Sequence, residues 1–109
     1  LSRINRLTSS SEIENLKQTG DKLHTDYFII VYSPNTLGHP RCAFVVSPKV
    51  SPLSVTRNRI KRLTSEALRL SAGFKSAAKD FVFIAKRSAA GASLSAISAD
   101  IEFTLTKIG

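Results

Sequence analysis

Sulfur and large aromatic residues are scarce in this chain: it has one cysteine, Cys42, two tyrosines, Tyr27 and Tyr32, and neither tryptophan nor methionine. A lone cysteine excludes an internal disulfide and suits a reducing compartment, so a cytoplasmic location is expected. The missing tryptophan leaves little of the aromatic belt that membrane-surface proteins carry. No apolar run approaches the roughly 20 residues of a spanning helix, and the first residues carry no signal-peptide core. No membrane partner is therefore expected. The only histidines, His24 and His39, share no zinc-like spacing with Cys42, and a protein-held metal is not expected. Acids are scarce too, 8 against 16 Lys plus Arg, for a net charge of +8. Glu12 with Glu14, and Asp100 with Glu102, stand two apart on predicted helices and do not face each other. A two-metal nuclease needs carboxylates converging on ions about 4 Å apart, and nothing here supplies them. There is no G-x-S-x-G, H-E-x-x-H or Gly-rich phosphate loop. Cys42 lies in the strand-like R-C-A-F-V-V-S and reads as a small buried residue, because His39 sits in a turn. No catalytic side chain is expected.

The scarcity of acids throws one stretch into relief. In V-T-R-N-R-I-K-R-L-T-S-E-A-L-R-L, Val55 to Leu70, four of the six residues from Arg57 to Arg62 are basic. As a helix it has two unlike sides: Ile60, Leu63, Ala67 and Leu70 gather on one face, and Asn58, Arg62, Ser65 and Arg69 on the other. Arg57 and Lys61 flank one edge of the apolar stripe, and Arg59 and Glu66 the other. Glu66 can pair with Arg62 or Arg69 for about 0.2–0.5 kcal/mol, while Arg57, Arg59 and Lys61 have no partner within the helix. Guanidinium groups match phosphate bidentately, so a nucleic-acid backbone is the natural complement.

The remainder reads as one domain, residues 1–109, with a 42% hydrophobic share that suffices for a modest core. Leu1 to Leu7 is an extended basic arm with Arg3 and Arg6. Ser9 with Glu12, or Ser11 with Glu14, can cap a short helix whose buried side is Ile13 and Leu16, and Gly20 suits a left-handed end to it. A short edge strand at Lys22 to His24 precedes a strand at Tyr27–Tyr32. Across a Pro- and Gly-containing turn comes Arg41–Ser47, expected antiparallel to its predecessor, then a proline stop. Ser54 or Thr56 is expected to cap the basic helix. Asp80–Ala85 is a further strand, Lys86 to Gly91 a loop, and Leu94, Ile97, Ile101, Leu105 and Ile108 mark a closing helix capped by Ser93. The class is α+β, an α-β-β-(β)-α-β-α sandwich with helices on a mostly antiparallel central sheet. From the residues alone, the partner is RNA with or without an enzymatic role, or DNA read by the basic helix. The strand and proline turn before Ser54 count against the helix-turn-helix context that DNA reading requires.

Arg57-Asn58-Arg59-Ile60-Lys61-Arg62-Leu63, followed by Glu66-Ala67 and Arg69, resembles the signature helix of the bacterial ribonuclease P protein subunit. Asn5-Arg6-Leu7, Gly20, Phe44 to Val50, Phe81 to Arg87 and Leu94 to Ile108 resemble other family segments in order, so the resemblance spans the chain. It implies a partner, a single large catalytic RNA in a 1:1 complex, and a substrate, precursor transfer RNA, whose 5′ leader the holoenzyme removes. It implies that Mg2+ belongs to the RNA–protein holoenzyme rather than to the protein, that no further protein partner is required, and that the fold has a left-handed β-α-β crossover where the usual hand is right. It implies an RNA-contact set of Arg57, Asn58, Arg59, Lys61, Arg62, Arg69 and Lys49, with Glu66 as a competing partner for Arg69. It implies a leader cleft between the first helix and the sheet, with Arg6, Ile13, Lys17, Phe28, Val31 and Phe44 as leader-binding candidates. Here the chain departs from the family, which often has aromatics at the positions of Ile13 and Lys17 and a tyrosine at that of Val31. Phe28 and Phe44 are the remaining stacking platforms, each with a competing reading as core. Strand alternation sets Phe28 and Tyr32 on the face opposite Val31.

Overall fold

The computed structural model describes residues 5–108, so Arg3 of the predicted arm lies outside the described residues. Helix α1, Ser10–Thr19, begins where the Ser9 hydroxyl accepts the Glu12 amide at 3.3 Å. It ends at Gly20, which is not left-handed as expected but extended, at φ −73° and ψ 161°. The glycine is required for space: a Cβ there would lie 2.8 Å from Leu16 Cδ1, from the Leu16 carbonyl oxygen and from Val31 Cγ1. That close approach seats α1 on the sheet.

Strands β1 (Asp21–His24), β2 (Phe28–Pro34), β3 (Arg41–Val45) and β4 (Lys79–Ala85) form one sheet in the order β1-β2-β4-β3. The expected β2–β3 neighbours are therefore separated. Strand β4 lies between them, antiparallel to β2 and parallel to β3, with Phe83 opposite both Ile30 and Phe44. The most apolar strands occupy the centre because they are covered on both faces: Val31, Phe81 and Val82 are fully buried. The polar β1 and the shorter β3 take the edges. A parallel β3–β4 pair needs a long crossover, which α2 (Ser54–Leu70) and the short α3 (Ala72–Lys75) provide.

Neither Ser54 nor Thr56 caps α2: the N-cap position is Leu53, without a side-chain hydrogen bond. Its buried stripe is also rotated from the expected one. Ile60, Thr64, Ala67 and Leu68 face the core, Leu63 is half-buried and Leu70 is exposed. Thr64 is tolerated there because its hydroxyl donates to the Ile60 carbonyl at 2.7 Å. Ser71 caps α3 by accepting the Phe74 amide, which drives Phe74 into the core. The expected loop after β4 contains a 3-10 turn, Arg87–Gly91, and Ser93 caps α4 (Leu94–Ile108) by accepting the Ala96 amide at 3.1 Å.

Alternation along the strands divides the core between two faces. Phe28, Ile30, Phe81 and Phe83 pack under α2, α3 and α4, with ring centroids of Phe28, Phe44 and Phe81 each 5.8–5.9 Å from Phe83. Such aromatic pairs add about 0.5–1.5 kcal/mol beyond area burial. On the opposite face Val31 and Val82 pack under Leu7 and Leu16. Asp100 is buried in α4 and accepts from the Thr25 hydroxyl and the Tyr27 amide. It fastens α4 to the β1–β2 turn.

Candidate nucleic-acid interface

A groove of about 570 Å³ runs along the outer edge of the sheet between α1 and α2. Its floor is β3, through Cys42, Ala43 and Phe44. The N-terminal arm and α1 form one wall with Arg6, Leu7, Thr8 and Ile13, and α2 forms the other with Asn58, Lys61, Arg62 and Ser65. The arm is fixed in this wall. The Leu7 amide donates to the Cys42 carbonyl at 2.9 Å, Arg6 bridges Cys42 in the parallel sense, and the Asn5 side chain donates to the Pro40 carbonyl at 2.7 Å. The edge of β3 thus acquires a partner that strand patterns had not indicated, because the arm lacks an apolar alternation.

No acid lines the groove, and Arg6, Lys61 and Arg62 form no ion pair with another described residue. With two cations on one wall and a third across from them, the site attracts a polyanion. Burial pushes the Cys42 thiol up to about 12, which leaves it protonated on the groove floor and unsuited to nucleophilic attack. Ile13, Ala43 and the half-buried Phe44 contribute apolar surface to the groove.

The other predicted contacts are distributed differently. Arg57 donates to the Ser51 carbonyl at 2.8 Å, and Arg59 donates to the carbonyls of Ala90 and Ala92 at 3.4 and 3.0 Å. Both guanidinium groups are half-buried and tie α2 to neighbouring backbone. Arg69 forms a two-bond pair with Glu66, at 3.0 and 2.5 Å, and this hydrogen bonding holds the Glu66 carboxyl below its ordinary range. Lys49 is exposed on the turn before α2, outside the groove. Lys17 stands 3.5 Å from Glu14 on α1 and does not line the groove. Two leader candidates are corrected: Phe28 is 1% exposed on the far face of the sheet, and Val31 is fully buried beneath α1. Both are core residues with essentially no surface for a ligand to touch.

One cluster escaped the sequence reading. Arg41 at the start of β3 donates to both oxygens of Asp80, at 3.0 and 2.8 Å, and to Glu12 of α1 at 2.9 Å. Asp80 also accepts from the Asn35 side chain at 2.9 Å. Burial pushes the Asp80 carboxyl up, but the bonds from Arg41 and Asn35 outweigh it and leave the group below its ordinary range. Residues 12, 35, 41 and 80 are too far apart in sequence for a pattern to join them, and together they set α1 against the sheet edge. Among the described residues, no three His, Cys, Asp or Glu side chains come together as metal ligands, and no helix is long and apolar enough to cross a membrane.

The family model for ribonuclease P matches residues 1–109. The chain is 33% identical over 107 residues to the ribonuclease P protein component of Syntrophus aciditrophicus, covering 98% of this chain and 89% of that one. It is 38% identical over 84 residues to the component from Vibrio parahaemolyticus, covering 77% and 70%. Among solved structures, a Staphylococcus aureus RNase P protein mutant with defective mRNA degradation activity superposes with a TM-score of 0.85 at 25% identity, covering 97% of this chain and 89% of that one. The RNase P protein of Thermotoga maritima has the same fold, with a TM-score of 0.83 at 21% identity over 95% and 97% of the two chains.

Proposed function

This chain belongs to the ribonuclease P protein family and is the protein subunit of that tRNA-processing endoribonuclease; from that premise we propose that its basic groove is where the protein meets RNA. The acid-free groove, with Arg6 facing Lys61 and Arg62, carries the reading. Asn58, Lys61 and Arg62 on α2 contact the backbone of the catalytic RNA. The arm and α1 wall, with Arg6 and Ile13, and the floor residue Phe44 hold the single-stranded 5′ leader of precursor tRNA. Arg57 and Arg59 hold α2 in place and present their remaining donors to the same RNA, and Lys49 extends the basic surface beyond the groove.

One protein pairs with one RNA in the cytoplasm. The RNA supplies the reactive centre and its Mg2+. The protein contributes cations that lower phosphate repulsion as the leader and the RNA approach, which strengthens substrate binding and relaxes the demand for free magnesium. Leader recognition depends little on aromatic stacking here. Ile13 offers only apolar contact, Lys17 stands outside the groove, and among the described residues Phe44 is the one ring in the lining. Stacking is worth about 1–3 kcal/mol per base where a ring supplies it, so a weak preference among leader sequences is expected.

The test is reconstitution of the chain with a bacterial ribonuclease P RNA and 5′-labelled precursor tRNA at low magnesium. Cleavage at the mature 5′ end that requires the protein supports the reading. Tight RNA binding without stimulated cleavage overturns it.

A further inference from the structure

The N-terminal end of α2 carries two large apolar side chains that the protein leaves in water: Leu53 is 64% exposed and Val55 79%. Val55 heads a surface row. Counting on by 3, 4, 3 and 4 residues reaches Asn58, Arg62, Ser65 and Arg69, so these side chains line up along one side of the helix. Asn58, Arg62 and Ser65 of that row line the basic groove. The apolar end is therefore continuous with the phosphate-binding wall. Further cations lie on the preceding turn and the first turn of α2. The Arg57 guanidinium is anchored on the Ser51 carbonyl, two residues before Leu53, and Lys49 is exposed on the same turn. The turn is ordered by its own bonds, the Leu53 amide to the Ser51 hydroxyl at 3.2 Å and the Val50 amide to the Ser47 carbonyl at 3.0 Å.

An exposed apolar pair that leads into the groove wall of Asn58 and Arg62 fits neither a membrane core nor an acidic protein surface. It fits a polyanion that also offers an apolar plane. We propose that Leu53 and Val55 pack against the face of an unstacked nucleobase of the RNA subunit, while Arg62, on the same side of α2, holds a neighbouring phosphate. Structured RNA presents splayed bases at loops and bulges whose faces are open to side-chain contact, and an aliphatic pair can cover such a face as it covers any apolar plane. The inference rests on the assignment of the groove to RNA.

The test uses the intact chain and the double variant Leu53→Gln, Val55→Thr, which changes no charge and touches two exposed positions. Affinity for a bacterial ribonuclease P RNA is measured across a salt series, with base-reactivity probing of the complex and Arg62→Ala as a comparator. The expected result is a five- to tenfold loss of affinity for the double variant, an unchanged slope of log K against log salt, and one RNA base that loses protection. Affinity within twofold of the parent and an unchanged protection pattern overturn the apolar contact, as does a loss accompanied by a shallower slope, which marks phosphate contacts instead. If the double variant is silent while Arg62→Ala weakens binding and flattens the slope, only the apolar contact fails. If the parent chain itself binds the RNA no better than duplex DNA, the groove assignment fails and takes this proposal with it.

Discussion

Arg59 and Arg62 carry the same charge on the same helix, and their surroundings give them different work. Arg62 projects into the groove without an ionic partner among the described residues, whereas Arg59 is committed to the carbonyls of Ala90 and Ala92. Arg62→Ala is expected to weaken RNA binding five- to tenfold and to reduce the salt-dependence slope by about 0.7–0.9, the value of one lost phosphate contact. Arg59→Ala is expected to act through the 3-10 turn. The amides of Ala89 and Ala92, which close that turn onto Lys86 and Ala89, should exchange with solvent faster, while the salt slope moves by less than half as much. Equal slope changes in the two variants would show that Arg59 is a phosphate ligand of the same kind. The helical wheel separates basic from apolar positions. It cannot tell which guanidinium meets a backbone carbonyl folded in from 31 residues away, and so Arg57, Arg59 and Arg62 read alike in the sequence.

At the level of elements, α1 is placed by a tight contact at one end and a charged one at the other. Gly20→Ala sets a methyl 2.8 Å from Leu16 and Val31, and overpacking of this kind costs about 1–3 kcal/mol. A fall in Tm of about 4–8 °C per kcal/mol is expected for a domain of this size, with leader affinity reduced as α1 shifts. The Arg41–Asp80 pair predicts a pH dependence. Because the Asp80 carboxyl is held below its ordinary range when folded, its contribution is present above the unfolded value of about 4 and fades as pH falls through the lower folded value. Asp80→Asn should cost about 1–3 kcal/mol at neutral pH, from a lost charged hydrogen-bond pair, and should flatten the stability profile below about pH 4 in urea titrations. Periodicity placed every long element of this fold, including both long helices and three strands. It did not place β4 between β2 and β3, because strand pairing is decided by which apolar strand gains cover on both faces and by the length of the α2 crossover. The family resemblance put Phe28 and Val31 among the leader candidates, and alternation gave them opposite faces; only the sheet order and the seating of α1 show that both faces are covered there.

The whole molecule is polarised more than its net charge of +8 conveys. Among the described residues, Glu12, Glu14, Glu66 and Asp80 are engaged with Arg or Lys partners outside the groove, and no acid lines the groove itself. On another side a hollow of about 580 Å³ between the β1–β2 turn and α4 is lined by Asp26 and Asp100, and Lys86 donates to the Thr25 carbonyl beside them. A polyanion approaching this protein is steered by the distribution of charge and not by its sum, since at 0.15 M salt charges more than about 8 Å apart are largely screened from each other. Two substitutions separate these quantities. Lys61→Glu places a negative charge in the groove and is expected to weaken RNA binding by about 100-fold. Adding Glu102→Lys, on the exposed side of α4 outside the groove, restores the net charge to +8. The double variant should remain within threefold of Lys61→Glu alone in RNA affinity and in low-magnesium cleavage. Recovery to near the parental value would mean that any basic domain of this charge suffices, and that the alignment of Arg6, Lys61 and Arg62 across one groove has no part in recognition.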